Sequence, residues 1–578
     1  MQDPHTRGIS MTSPASPVAI PDSQHPHLRT ATRIGATDKN TLLTLTIALR
    51  ENPDGASVFE AVDRIHRNEP GKRQFLSQSV QGRHHGARSA DVAQVTSYAK
   101  DHHLAVTEVD APTRTVKVTG RVADIEEAFG VALSDYSAPD NVHYHSHDSD
   151  IHVPAELSGI ITHVMGLSSR PVCRPHYVRP TQQQLAQQII YPPHVIAKAM
   201  KVPPVGAAGS PGHVPSQKVV LGIIELGGLV TDADITAYCA KFGYPKPNIV
   251  HVSVDGQQPQ NDPGGANVEV ALDVEVGLGM APGLNIVVYD APNTSQGVRD
   301  AIVAAMKDTV HRPKSISMSW GGAELLDWSR ADMLEINHAL AQASALGCTF
   351  GFSAGDGGST DGINDGKQHA DFPATSPYAI AAGGVRAVLN RVTGAIQSIA
   401  AWGGTAQQMQ TNGGTGGGVS EVFPVPSYQS DHGIHPVSAN PPHKPGRGEP
   451  DASGVADPQT GLAVISDGTY EGVGGTSASA PEIMTGIAVL SALQNGKGFG
   501  LINKDLYALG QKGFTDVTSG TNGAYSASPG WDLTTGWGFP DFQTIAKAVG
   551  INLTAALRRL AHRLPVPPSA PDGPTSSL

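Results

Sequence analysis

Between residues 218 and 353 the chain alternates short apolar runs with longer helix-patterned segments, and that alternation limits the possible folds more than any other feature. The strand-like runs are 219–225, 249–254, 285–289, 315–319 and 349–353. Strands separated by segments this long are joined by crossovers rather than tight turns, so they lie parallel and are covered by helices on both faces. An α/β fold of this kind carries its chemistry outside the carboxyl ends of the strands. At 578 residues the chain also exceeds what one core supports, so a second domain is expected.

The run 348–352 ends in Ser353-Ala354-Gly355-Asp356-Gly357-Gly358, a Gly-rich loop at such a strand end. Alone, it reads as an Asp-Gly turn. A second segment, Gly474-Gly475-Thr476-Ser477-Ala478-Ser479-Ala480-Pro481, leads into an apolar helix over 483–493. It presents the Ser477 hydroxyl at a helix N-terminus, where free N–H groups favour developing negative charge. No histidine stands in a context suited to activating it: His251, His338 and His369 lack a motif. If Ser477 is a nucleophile, another group must take its proton.

That group is offered by the run 267–276, which predicts a helix over 266–280 ended by Gly-Leu-Gly-Met-Ala-Pro-Gly. Glu269 and Asp273 are one turn apart on one face, while Glu275 lies off it as a structural residue. By spacing alone the pair describes a solvated acidic face better than a site. Held close, however, two carboxyls share a proton and serve as a base only in acid. A protonated Asp356 could donate to an oxyanion, whereas an ionised one would repel it, so both candidates point to a low working pH.

Together these segments resemble the sedolisins, the serine-carboxyl peptidases, and among them the kumamolisin branch. The likeness extends to 223–228, 315–322, 371–374 and 416–420, and covers about 30–556. The resemblance implies a subtilisin-like parallel sheet preceded by an α+β, ferredoxin-like prodomain. It implies Ser477 as nucleophile, Glu269 as general base, Asp273 as the acid that shares its proton, and Asp356 as oxyanion donor. Glu225 and Trp320 match a supporting hydrogen-bond network. The resemblance also implies one structural Ca²⁺, held by the carboxylates of Asp516 and Asp532 and the carbonyls of Val517, Ser528 and Gly530. Hard cations take six to eight oxygens of this sort. From spacing alone, the two aspartates are an Asp-capped turn pair. The implied protein is a secreted, monomeric endopeptidase made as a zymogen, acting on protein or peptide substrates and inhibited by its own prodomain. A neutral subtilisin-type peptidase and a non-catalytic secreted protein are the alternatives.

Elements before the catalytic unit are expected as strands at 42–50 and 114–119 and helices at 90–103 and 123–129. The expected organisation is a disordered N-terminus (1–29), a prodomain (30–174), an exposed linker carrying the maturation cut (175–190), a catalytic domain (191–556) and a disordered Pro/Ser-rich tail (557–578). Of 24 histidines, more than half precede the linker, among them His143, His145 and His147. They are either exposed loop residues or a trigger that loosens the prodomain on acidification. A formal charge of −12 and the lack of a basic stripe argue against nucleic acid, and no span or clear signal peptide is seen. Cys173, Cys239 and Cys348 are too few and too scattered for a disulfide framework, and read as buried free thiols. The stretch 413–418 lacks the Lys-Ser/Thr of a phosphate loop and suits close approach of a peptide backbone. Asp371 suits either a pocket for basic or polar side chains or a structural role before Phe-Pro.

Overall fold

The computed structural model describes residues 16–562 apart from 140, 208, 209 and 211. The first unit is an antiparallel sheet built from β1 (Leu42–Leu49), β2 (Ala105–Asp110), β3 (Thr115–Arg121) and β4 (Ile161–Met165), in the order β2-β3-β1-β4. Helices α1 (Ser89–Asp101) and α2 (Val122–Phe129) cover one face. The sequence of β1, LLTLTIAL, explains the arrangement. Leu45, Ile47 and Leu49 alternate toward the helices and join Val95, Ile125 and Phe129 in one core. The intervening Thr46 and Ala48 are buried too, because the opposite face docks on the second unit.

That unit contains an eight-stranded sheet. Its elements, in chain order, are β5 (Val220–Glu225), β6 (Asn248–Ser253), α3 (Ala266–Met280), β7 (Asn285–Asp290), β8 (Ser315–Met318), α4 (Arg330–Ala345), β9 (Thr349–Ser353), β10 (Ile380–Leu389), β11 (Ile396–Ala401), β12 (Ala452–Val455) and α5 (Thr476–Leu493). The order is β6-β7-β5-β8-β9-β10-β11, with β12 also paired to β10. All pairs are parallel except β10 with β11. Helices α3 and α5 lie together on one face and are apolar almost all round, as central helices must be. Helix α4 lies on the other side and receives the first unit: His163 bonds Asp332 at 2.9 Å, Arg114 bonds Glu335 at 2.9 Å, and His338 bonds Glu51 at 2.8 Å.

Several expectations are corrected. The segment 16–29 is not disordered, since Val18 and Ala19 pair with Val153 and His152; residues 1–15 lie outside the description. Residues 557–562 continue the helix Leu553–His562, whose Ala556 and Leu560 join the main core; the expected tail from 563 lies outside the description. The linker is not exposed throughout. Arg174–Pro175 pairs with Trp320 and Gly321, and His176 is 1% exposed; the exposed part begins at Arg179. His143–His147 form a strand rather than a loop, and His147 is fully buried. Strands β10 and β12 were not anticipated: their Gly- and Ala-rich sequences carry little strand preference, and neighbouring strands supply the pairing. All three cysteines are free and buried.

Candidate active site

Ser477 stands in the first turn of α5, behind Gly475 at φ 108°, a conformation that L side chains rarely adopt. A Cβ at Gly475 would also lie 2.1 Å from the His176 carbonyl oxygen and 2.7 Å from Asp356 Oδ2. The glycine is therefore demanded by what approaches it. Pro481, inside α5, has no N–H for the Ser477 carbonyl four residues earlier. That carbonyl faces the Ser319 hydroxyl at 3.3 Å instead.

Glu269 and Asp273 project from α3 toward α5, and neither is exposed. Ser319 Oγ donates to Asp273 Oδ1 at 2.7 Å. The Ser477 hydroxyl points to the Ser319 carbonyl at 3.2 Å. It also lies close enough to Glu269 to favour that group's charged form, although both Glu269 oxygens lack a settled partner. A turn of the hydroxyl hydrogen exchanges one acceptor for the other. Behind them, Trp320 Nε1 donates to Glu225 Oε2 at 2.9 Å. Burial first, then mutual repulsion, pushes Glu269 and Glu225 well above the usual carboxyl range, and burial raises Asp273. The three carboxyls form one coupled group. Glu275 is separate: its Oε2 accepts from Ile465 N at 2.7 Å, a structural bond.

Asp356 closes the other side of Ser477. Its Oδ1 accepts from Thr476 N at 2.7 Å and Thr476 Oγ1 at 2.8 Å, while Oδ2 is buried without a partner. Burial raises its pKa to about 7. In acid the group is neutral and has a hydrogen to donate.

The chain's own segment 172–179 runs through this site in extended form. His176 donates its N–H to Ser319 O at 3.1 Å and accepts at its carbonyl from Ser477 N at 2.9 Å. Val178 and Gly474 exchange two hydrogen bonds, each 2.9 Å. Asn293 Oδ1 accepts from the N–H groups of Val172 and Cys173 at 3.2 and 3.0 Å. The His176 ring enters a pocket, with Nδ1 2.8 Å from Ser353 Oγ and Nε2 3.2 Å from Asp371 Oδ2. Arg174 bonds the Asp361 carboxylate, and its Nη2 donates to Asp361 O at 2.8 Å. Burial holds His176 below its usual pKa and Asp371 well above, disfavouring the charged form of each.

All of the sequence-derived residues Ser477, Glu269, Asp273, Asp356, Glu225 and Trp320 fall within this arrangement, and Asp371 lines its pocket. The histidines weighed as alternatives do not: His251 bonds Asp290 at 2.9 Å, His338 bonds Glu51 and His369 bonds Asp365 at 3.0 Å. Ser319, Asp361 and His176 were not singled out. Ser319 shares the motif 315–322, and that proximity to Trp320 was the available signal; nothing local marks His176.

Asp516, Val517, Ser528, Gly530 and Asp532 lie elsewhere, around one loop. Asp532 Oδ1 accepts from the N–H groups of Thr534 and Thr535, each at 2.8 Å, and Oδ2 from Ser528 N at 2.9 Å. Asp516 Oδ2 accepts from Gly530 N at 3.1 Å, and its Oδ1 is buried without a partner.

Residues 29–170 match the family described as Pro-kumamolisin, activation domain, and residues 256–538 match the Subtilase family. Kumamolisin from Bacillus sp. (strain MN-32) is 39% identical over 89% of this chain and 91% of its own length. Sedolisin from Pseudomonas sp. (strain 101) is 25% identical over 88% of this chain and 87% of its own. A solved structure of Pseudomonas sedolisin, a serine-carboxyl proteinase complexed with pseudo-iodotyrostatin, superposes with a TM-score of 0.54 at 26% identity, covering 63% of this chain and 98% of that one. The alternation of strand and helix, the activation domain and this likeness lead to one conclusion: the chain belongs to the sedolisin class of serine-type peptidases, in its kumamolisin-like form with an N-terminal activation domain.

Proposed function

We propose that the protein is an acid-acting endopeptidase whose zymogen cuts itself between His176 and Tyr177. The observation that carries this reading is the His176 carbonyl, bonded to the backbone N–H of Ser477 and set beside the free oxygen of Asp356. A substrate carbonyl waiting for attack needs that position.

In this reading Ser477 Oγ bonds to the His176 carbonyl carbon while its proton passes to Glu269, which shares it with Asp273. The carbonyl π pair moves to oxygen and is held by Ser477 N–H and the Asp356 O–H. Collapse breaks the bond to Tyr177 nitrogen, which leaves with the proton from Glu269. Water, deprotonated by Glu269, then releases the acyl group from Ser477. Glu269 must carry charge and Asp356 must not, so the rate falls as pH rises through the Asp356 value of about 7. Glu269 and Asp273 share one proton in this reading, so the pair presents one charged oxygen to Ser477 while 172–179 lies in the site.

Backbone contacts on both sides of the bond, Asn293 before it and Gly474 after it, support an endopeptidase rather than an enzyme limited to chain ends. The pocket supports a side chain such as histidine before the cut, one whose two ring nitrogens meet the Ser353 hydroxyl and the Asp371 carboxyl at once. The loop around Asp516 and Asp532 suits calcium, whose bonding would satisfy the orphaned Asp516 oxygen; bound there, it would stiffen the loop. The His176, Asp361 and Asp371 cluster is taken up by the chain's own His176 and Arg174, so no metal is assigned to it. Secretion and a monomeric state follow from the family reading. N-terminal sequencing of the acid-matured product tests the scheme: Tyr177 is expected first, and an intact 176–177 bond in an active, matured enzyme overturns it.

A further inference from the structure

The substrate-like path continues beyond the bond at 176–177, and one charged contact stands out on it. Arg179 meets Glu471 through two bonds, Nε to Oε2 at 2.9 Å and Nη2 to Oε1 at 3.0 Å, and its Nη1 donates to Gly264 O at 2.8 Å. Both oxygens of the carboxylate and all three guanidinium nitrogens are engaged, a fork that arginine fills and other side chains do not. Glu471 lies on the strand Thr469–Val473, which runs directly into Gly474. Since Gly474 fixes the register of Val178, Val473 lies opposite the next residue of any extended chain in the cleft, and Glu471, two residues back on the same face, is the diagonal neighbour its side chain reaches. Tyr177 and Arg179, two residues apart, face the same side, and both reach the loop at 264–265: Tyr177 Oη donates to Gly265 O at 3.1 Å. That loop is itself pinned, with Gly264 N donating to Asp467 Oδ2 at 2.9 Å and Asn267 Nδ2 donating to Asp467 Oδ1 at 2.8 Å. Asp467 adds negative field around the guanidinium.

We infer that Glu471, with the Gly264 carbonyl, forms a subsite selecting arginine at the third residue after the scissile bond. The inference rests on the 176–177 assignment above. It adds a second side-chain preference, across the cut from the Asp371 pocket, so the enzyme reads both sides of its substrate. The contact is half open to water, with Arg179 at 39% and Glu471 at 20% side-chain exposure. The expected preference is accordingly modest, about fivefold in kcat/KM and carried by KM.

The test uses quenched fluorescent peptides with the sequence Arg-Pro-His-Tyr-Val-Xaa, where Xaa is Arg, Ala or Glu, and the mature enzyme at acidic pH. Wild type is expected to favour Arg over Ala about fivefold and to disfavour Glu. The ratio should collapse toward one in Glu471→Gln, and Glu471→Arg should turn the preference toward Glu. A wild-type ratio of one, or the same ratio in Glu471→Gln, overturns the inference; if the variants do not fold, the wild-type ratio decides alone. Mass spectrometry of each product separates the two failures. Cleavage elsewhere than His-Tyr overturns the scissile-bond assignment and the inference with it. Cleavage there without an Arg preference overturns the inference alone.

Discussion

The activation domain and the peptidase unit differ in the titratable groups they bury: histidines stand out in the first, and carboxyls in the second, which also buries His338. In the first, burial lowers the pKa of His66 and His147 to about 4, and lowers His85 and His145 as well. In the second, burial raises Glu225, Glu269, Glu275, Glu449 and Glu482 well above the usual carboxyl range. A histidine depressed by folding contributes stability that is present above pH 6.5 and lost as pH falls through about 4. A carboxyl raised by folding contributes stability that is present below its ordinary pKa and lost as pH rises through the folded value. Acid is therefore expected to destabilise the activation domain before the peptidase unit. At the seam between them, His66 Nε2 accepts from Leu501 N at 3.0 Å and lies 3.1 Å from Phe499 O, so a proton on that nitrogen would exchange the first bond for the second.

The largest expected effect comes from Ser477→Ala, which should leave the 60.1 kDa chain uncut in acid and lower turnover by at least about 10³-fold. It also fixes the two-unit state in which the contrast can be titrated; a self-processing Ser477→Ala chain would break the account. Glu269→Gln and Asp273→Asn should each lower kcat by roughly 10²- to 10⁴-fold, read from steady-state kinetics. Asp356→Ala should cost about 10²- to 10³-fold. Asp356→Asn should keep much of the rate, because an amide donates at any pH, and its activity should no longer fall near pH 7. A smaller effect is expected from His147→Gln in the Ser477→Ala background. Removing the buried imidazole should strengthen the activation domain in acid by up to about 3 kcal/mol and move its release, followed by size exclusion, to lower pH. An unchanged release pH would remove His147 from the trigger. Chelation should have the least effect, lowering the melting temperature by several degrees and restored by calcium.

Much of the peptidase unit was legible because its signals are local. Helix α3 spans the expected 266–280, running on from its apolar stretch through Gly277 and Gly279 to Met280, and β9 matches its strand-like run residue for residue. Glu269 and Asp273 share a face by periodicity alone. What brings them to Ser477 is the packing of α3 on α5, some two hundred residues apart, and only the family likeness carried that forward. The least legible region was 172–179. Its Pro- and Gln-rich surroundings resemble an ordinary exposed linker, and its order comes from distant partners: Ser319, Asn293, Gly474 and Glu471. The same holds for Val18–Ala19, whose strand exists because Val153 and His152 pair with it. The elements that were found are specified by their own sequence, although the helix Val58–His66, capped by Ser57, was missed.

The central claim is that carboxyl groups, not imidazole, deprotonate Ser477, and that a neutral Asp356 holds the oxyanion. It is tested most directly by the pH dependence of kcat/KM for the matured wild-type enzyme on a peptide substrate. A maximum in acid is expected, with activity lost as pH rises through about 7. A rate that climbs from acid to a plateau above pH 7, as an imidazole base gives, would contradict it.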